Sequence, residues 1–262
     1  MTKRIKAIIA LDPNIHNEKE LEKLIDGIKK DSNKQVDLLV LPSMAAAGYL
    51  GQKTLNERLD RYSLIAKTNN LYLALHAYHK DGSKRHSRCW LVDNCGEILL
   101  AQNQTHDKNN IGISVSNELQ VAKTPMGSIG FLIGDDVLIP EIGRILRLQG
   151  ANLFIAYSFF PQPYNPWRQW SGIWQQVQQN QVFALESSFT GSINGHAVEG
   201  KSIIHGPCEL TQGEIGFISE EQDDPYIAAS LDYQKLAETI KDYPIHNFYN
   251  KKLYKELFSE LL

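Results

Sequence analysis

Gly127-Ser128-Ile129-Gly130-Phe131-Leu132-Ile133-Gly134-Asp135-Asp136, continuing to Pro140-Glu141-Ile142-Gly143-Arg144, contains the turn around which the rest of the chain is organised. Ile129–Ile133 is an apolar run of strand length, and Gly134-Asp135-Asp136 ends it with turn-forming residues. Pro140 suits the first turn of a helix, where its missing N–H is not needed, and Gly150 suits a helix stop, so a helix is predicted from Pro140 to Gly150. Asn152–Tyr157 follows as a buried strand.

The same alternation extends outward. Arg4–Leu11 alternates and is rich in Ile and Ala, while Asn17–Lys30 places Leu21, Leu24, Ile25 and Ile28 on one helical stripe. Asp37–Leu41 is, after its first residue, a continuous apolar run closed by Pro42, the pattern of a strand buried on both faces, and Leu55–Ala66 repeats the helical spacing. Between Leu71 and Ala122 the pattern changes to hairpins, with strands predicted at Leu71–His79, His86–Val92 and Glu97–Gln102 and turns at Asp81-Gly82 and Asn94-Cys95-Gly96. Downstream, Gln169–Gln181 is a predicted helix and Val182–Leu185 a strand; Lys201–His205, Glu214–Ile218 and Tyr226–Ser230 are strands before a helix at Tyr233–Lys241. Interleaved helices and strands predict a layered α/β or α+β architecture, and with no linker in view one domain over residues 1–262 is expected.

Composition narrows the function classes. Lys and Arg total 27 against 30 Asp and Glu, a net charge of −3 that supplies no field for gathering nucleic acid or an anionic membrane. The apolar run near the start is short and ends at Asp12-Pro13, which fits neither a signal peptide nor a membrane span. Cys89, Cys95 and Cys208 form no Cys-x-x-Cys pair, which argues against a disulfide framework and a zinc site and fits a reducing cytoplasm. No metal and no cofactor is expected.

Three segments, in order, resemble the motifs of the nitrilase, or carbon–nitrogen hydrolase, family. Asp37-Leu38-Leu39-Val40-Leu41-Pro42-Ser43, with Gly48-Tyr49 after it, is similar to a strand that ends in Leu-Pro-Glu in that family. Gly96-Glu97-Ile98-Leu99-Leu100 through Gln104-Thr105-His106 is similar to a stretch ending in Arg-Lys-x-His. The opening segment resembles Gly-x-x-Ile-Cys-x-Asp with Pro-Glu-x-x-Arg behind it. Gly150-Ala151-Asn152, Pro166-Trp167, Asn180-Gln181-Val182-Phe183 and Gly200-Lys201-Ser202-Ile203-Ile204 extend the resemblance over almost the whole chain. It implies a four-layer α-β-β-α sandwich in which strand ends from two sheets meet at the site. It also implies pairing through helices beside the nucleophile turn.

Against that pattern Ser43 stands where the family has Glu, Gln104 where it has Lys, and Gly134 where it has Cys. Gly134 has no side chain to form a covalent intermediate, Ser43 is not a proton acceptor comparable to Glu, and Gln104 carries no charge. Losing Glu and Lys together strands neither charge, whereas losing one alone costs about 3–5 kcal/mol. A second Glu, common in active relatives shortly after the Lys, is missing from Asp107–Ser116.

The resemblance thus implies a catalytically inactive member with no catalytic residue. Its ligand-binding positions are Ser43, Tyr49, Gln104, Gly134, Asp135 and Phe159. The expected partners are a small amide-like or carboxylate ligand, and further copies in a dimer or higher homo-oligomer or an active relative in a hetero-oligomer. The alternative is an amide or nitrile hydrolase with a relocated site built from Ser43, His106 and Asp135. Asp135, Asp136 and Glu141 could hold a metal, but Asp136 and the Glu141–Arg144 pair match positions that brace the turn in the family. His76, His79 and His86 lack zinc-ligand spacing and are expected to be satisfied polar residues, and Cys89 and Cys95 to pack as small hydrophobes. The Trp residues from Trp167 to Trp174 are expected to serve packing.

Overall fold

The computed structural model describes residues 4–11, 15, 18–32, 36–107, 112–193, 195–250 and 252–255. The chain begins with β1 (Arg4–Ala10), α1 (Glu18–Ser32), β2 (Leu38–Val40), β3 (Leu50–Gly51), α2 (Gln52–Asn69), β4 (Tyr72–Asp81), β5 (Lys84–Val92) and β6 (Ile98–Asn103). It continues through β7 (Val121–Thr124), β8 (Gly127–Ile133), α3 (Pro140–Leu148), β9 (Leu153–Ser158) and β10 (Phe160–Pro161). Next come α4 (Pro166–Gln169), α5 (Gln175–Asn180), β11 (Phe183–Ser188), β12 (Gly191–Ile193) and β13 (His196–Glu199). The last elements are β14 (Ile203–His205), β15 (Phe217–Glu220), β16 (Tyr226–Asp232) and α6 (Tyr233–Asp242).

The first sheet has the order β16-β1-β2-β4-β5-β6, with β3 added along β4, and the second the order β15-β14-β11-β9-β8-β7. Strands joined through helices pair in parallel, as β1 with β2 and β8 with β9, while the β4–β5–β6 run pairs antiparallel through short turns. The period-2 alternation of side chains builds the layers. Ala7, Ile9, Leu38 and Val40 point inward and meet Phe131, Ile133, Ile155 and Leu185 of the second sheet. Ile8, Leu39 and Leu41 point outward under Leu21, Ile25 and Ile28 of α1 and Leu55 and Leu59 of α2. On the far side Leu132, Phe154 and Ala156 are covered by Ile142 and Leu146 of α3 and Val177 of α5. The result is the α-β-β-α sandwich. Leu21 is fully buried at the centre of the α1 stripe, so Leu21→Ala removes about 2–5 kcal/mol of stability.

Several boundaries differ from the sequence-based expectation. The start of the first helix at Asn17 lies outside the described residues. The helix predicted from Gln169 instead begins at Pro166, capped by the Asn165 side chain, and is broken by a π-turn at Trp170–Trp174. The cause is tertiary: Gly172 leaves helical geometry (φ −91°, ψ −109°) where a Cβ would stand 3.1 Å from the Val137 carbonyl oxygen. The strand predicted at Glu214–Ile218 begins only at Phe217, because Thr211–Gly216 closes into a turn held by Gly216 N–H on Thr211 Oγ1 at 2.8 Å. A third sheet, β10-β13-β12, was not predicted, since its strands are two to four residues long. Among the described residues no helix is long and apolar enough to cross a membrane.

Candidate functional site

The turn after β8 occupies residues 134–138 as a short 3-10 helix, and the segment 104–106 leaving β6 lies against it. Asp136 joins the two. Its carboxylate, 1% exposed, accepts from Thr105 N–H and Thr105 Oγ1 (2.7 Å) and from His106 N–H (2.9 Å), and contacts His106 Nδ1 at 3.1 Å. Burial raises its pKa above the ordinary carboxylate value, and the Thr105 and His106 hydrogen bonds pull it back. With its oxygens used in this way, Asp136 braces the turn. Arg144 instead turns to the Gln179 carbonyl and the Tyr249 hydroxyl.

Gly134 begins the turn at φ +57°, a region that side chains other than glycine occupy at a cost. The side chain of Gln104 packs directly on it: a Cβ on Gly134 would stand 2.6 Å from Gln104 Oε1 and 2.9 Å from Gln104 Cδ. Gln104 is 2% exposed, donates through Nε2 to the His106 carbonyl, and leaves Oε1 buried without a hydrogen-bond partner among the described residues.

Ser43 follows β2 and Pro42 and caps the short 3-10 helix Met44–Ala47, its Oγ accepting from Ala45 N–H at 3.1 Å. The same oxygen is 2.7 Å from His76 Nδ1, and His76 Nε2 is 2.9 Å from Ser87 Oγ, so both ring nitrogens are satisfied inside the protein. His76 is fully buried. Desolvation, with a smaller contribution from His79, lowers its pKa to about 3, which keeps the ring neutral. Tyr157 and Phe159 lie beside it, at centroid distances of 5.2 and 5.3 Å, and Tyr78 meets it edge-on at 5.2 Å. Tyr49 stacks edge-on against Tyr78 at 5.5 Å, with Lys80 and Arg85 over its ring at 5.8 and 5.3 Å. Burial, Tyr49 and nearby Asp135 raise the Tyr78 phenol well above its usual pKa.

The fold therefore brings Ser43, Tyr49 and Phe159 together around His76 and Tyr78, and places Gln104 on Gly134. Gln104 is tied to the same strands through its N–H on the Ser87 carbonyl at 2.9 Å. It does not join Ser43 to His106: the His106 ring bonds Asp136 and Thr105, and Ser43 bonds His76. His76, Tyr78 and Ser87 were missed as site residues. The available signal was the alternation of the Leu71–His79 strand, which sets His76 and Tyr78 on one face. Cys89, paired across the strands with His76, is fully buried, and desolvation raises its thiol pKa; Cys95 was expected to pack but is exposed in the turn after β5. Trp167, also expected to pack, is 70% exposed, whereas the Trp174 indole donates to the Ile215 carbonyl. Among the described residues no three His, Cys, Asp or Glu side chains converge as metal ligands.

Residues 7–240 match the profile of the carbon-nitrogen hydrolase family. The chain belongs to that family. A relative described as deaminated glutathione amidase, from Dictyostelium discoideum, is 23% identical over 271 residues, covering 91% of this chain and 90% of its own. Among solved structures, a carbon-nitrogen hydrolase from Helicobacter pylori G27 superposes with a TM-score of 0.80 at 16% identity, over 98% of this chain and 99% of its own. Nit3 of Saccharomyces cerevisiae, a member of branch 10 of the nitrilase superfamily, superposes with a TM-score of 0.76 at 16% identity, over 95% and 97% of the two chains. These superpositions establish the sandwich as the fold of a carbon-nitrogen hydrolase family member.

Proposed function

We propose that this family member does not hydrolyse carbon–nitrogen bonds and works as a binding or interaction protein, its ligand a small amide-like or carboxylate molecule. The observation that carries the proposal is Gly134 at the nucleophile position with the Gln104 side chain in the space that a Cβ there would take. A nucleophile there would need room that Gln104 fills, and the general-base position is held by Ser43. Tyr49 and Phe159, flanking His76 and Tyr78, provide an aromatic wall, and Lys80 and Arg85 beside Tyr49 supply positive charge suited to a carboxylate. Ser43, Gln104, Gly134 and Asp135 complete the proposed binding positions within one domain.

Pairing through α3 is part of the same proposal. Ile145 and Leu148 are 41% and 61% exposed and follow Glu141 on one helical stripe, the surface through which a second copy or an active relative would dock. A cytoplasmic location agrees with the free thiols of Cys89, Cys95 and Cys208.

The test is turnover. Purified protein is incubated with amides, nitriles and carbamoyl compounds, including deaminated glutathione, the substrate in the Dictyostelium relative's name. No product is expected above a heat-killed control; product formation that tracks with the protein through purification overturns the proposal. One contact favours a second reading, a hydrolase in which Ser43 attacks with His76 as base: the 2.7 Å Ser43–His76 hydrogen bond. It predicts an activity that Ser43→Ala abolishes. Against it, a ring with a pKa near 3 is a weak base at neutral pH, and the hydroxyl is already committed as a helix cap.

A further inference from the structure

On the other face of the β4–β5 hairpin, away from Ser43, four polar side chains cluster, each with one buried atom that has no hydrogen-bond partner among the described residues. His79 pairs with His86 and Arg88 with Asn103 across the strands, so alternation sets these four on one face and His76 and Ser87 on the opposite one. The His79 and His86 rings stack at 5.0 Å, and Trp90 lies 5.8 Å from His79 and 5.7 Å beneath the Arg88 guanidinium. Among the described residues His79 Nδ1, His86 Nδ1, Arg88 Nε and Asn103 Oδ1 are all buried with no hydrogen-bond partner. His79 is 4% exposed, while His86, Arg88 and Asn103 reach solvent at the edge.

A buried polar group with no hydrogen-bond partner carries an uncompensated desolvation penalty, so four on one patch point to an occupant. The charge identifies its sign. Among the described residues no Asp or Glu forms an ion pair with Arg88, whose charge rests on Trp90 alone; Asp81, on the exposed tip, acts on His79 from a distance. Desolvation, then His86 and Arg88, lower the His79 pKa to about 4, leaving a neutral ring with one N–H to donate. Asn103, its amide turned by 180°, presents an NH2 donor where Oδ1 now stands. Leu50 and Gly51 of β3 pair with His79 and Lys80, so α2 begins at this patch, and Gly51 gives its first N–H groups no side-chain cap. The positive end of an 18-residue helix thus adds to the Arg88 charge.

We propose that His79, His86, Arg88 and Asn103 form a phosphate-group binding site, separate from the family site on the inner face. A guanidinium, two imidazoles and an amide offer more donors than the two oxygens of a carboxylate use, and match the oxygens of a phosphate.

The test is calorimetric titration of inorganic phosphate into the 262-residue chain at constant ionic strength. One saturable site is expected, with binding weakened at least about tenfold by Arg88→Gln, the loss of a charge-assisted hydrogen bond. Acetate at equal concentration should not displace phosphate. The absence of saturable heat, unchanged binding in Arg88→Gln, or displacement by acetate overturns the assignment. If Arg88→Gln fails to fold, His86→Gln gives the same readout, and wild-type phosphate affinity in that variant overturns it equally.

Discussion

Replacing Gly134 by Ala tests the packing on which the proposed loss of catalysis rests. The new Cβ must adopt φ +57°, at a cost of about 1–2 kcal/mol, and meets Gln104 Oε1 at 2.6 Å and Cδ at 2.9 Å. Gln104 can move aside only by giving up its hydrogen bond to the His106 carbonyl, worth about 1 kcal/mol. The sum is about 2–3 kcal/mol, or a fall in melting temperature of roughly 4–12 °C for a chain of this size. The assay is equilibrium unfolding of Gly134→Ala, Gln104→Ala and the double variant. Shortening Gln104 removes the collision but not the backbone strain, so the cycle should show favourable coupling of about 1 kcal/mol. Wild-type stability in Gly134→Ala, or strict additivity in the double variant, would refute the claim that Gln104 occupies the space of the nucleophile. Gly134→Cys should share this destabilisation and gain no amidase activity, because Ser43 and Gln104 remain.

Ser43→Ala removes a helix cap and leaves His76 Nδ1 unsatisfied, and should lower stability by about 2–3 kcal/mol in chemical denaturation; a change below about 0.5 kcal/mol would show that the buried hydrogen bond contributes nothing. Because the folded pKa of His76 is about 3 against 6.5 unfolded, the unfolded chain takes up its proton first as pH falls. Stability should therefore decline from about pH 6.5 towards pH 3, with a shallower slope in His76→Gln, and equal slopes would count against a neutral buried ring. Leu148→Arg should convert any dimer formed through α3 to monomer in sedimentation velocity without lowering the melting temperature of the monomer; an unchanged sedimentation profile for a dimeric protein places the interface elsewhere.

How much was legible beforehand varied with the range of the interaction. The βα order, the turn at Gly134 and the substituted positions Ser43, Gln104 and Gly134 stood in the sequence, because periodicity and motif spacing are local properties of the chain. Alternation also determined that His76 and His79 face opposite sides of their strand. Only the tertiary structure decided what each met there. Ser43 and His76 lie 33 residues apart and become partners because β2 and β4 are neighbours in one sheet. Asp136 reaches Thr105 and His106 because the β8 turn and the end of β6 belong to facing sheets. The helix break at Gly172 and the setting of the Arg88 guanidinium likewise follow from what packs against them, a carbonyl of another segment in one case and a Trp ring in the other. Local propensity sets an element and its faces, whereas the partner of a buried polar group is set by which distant strand the sheet order brings alongside.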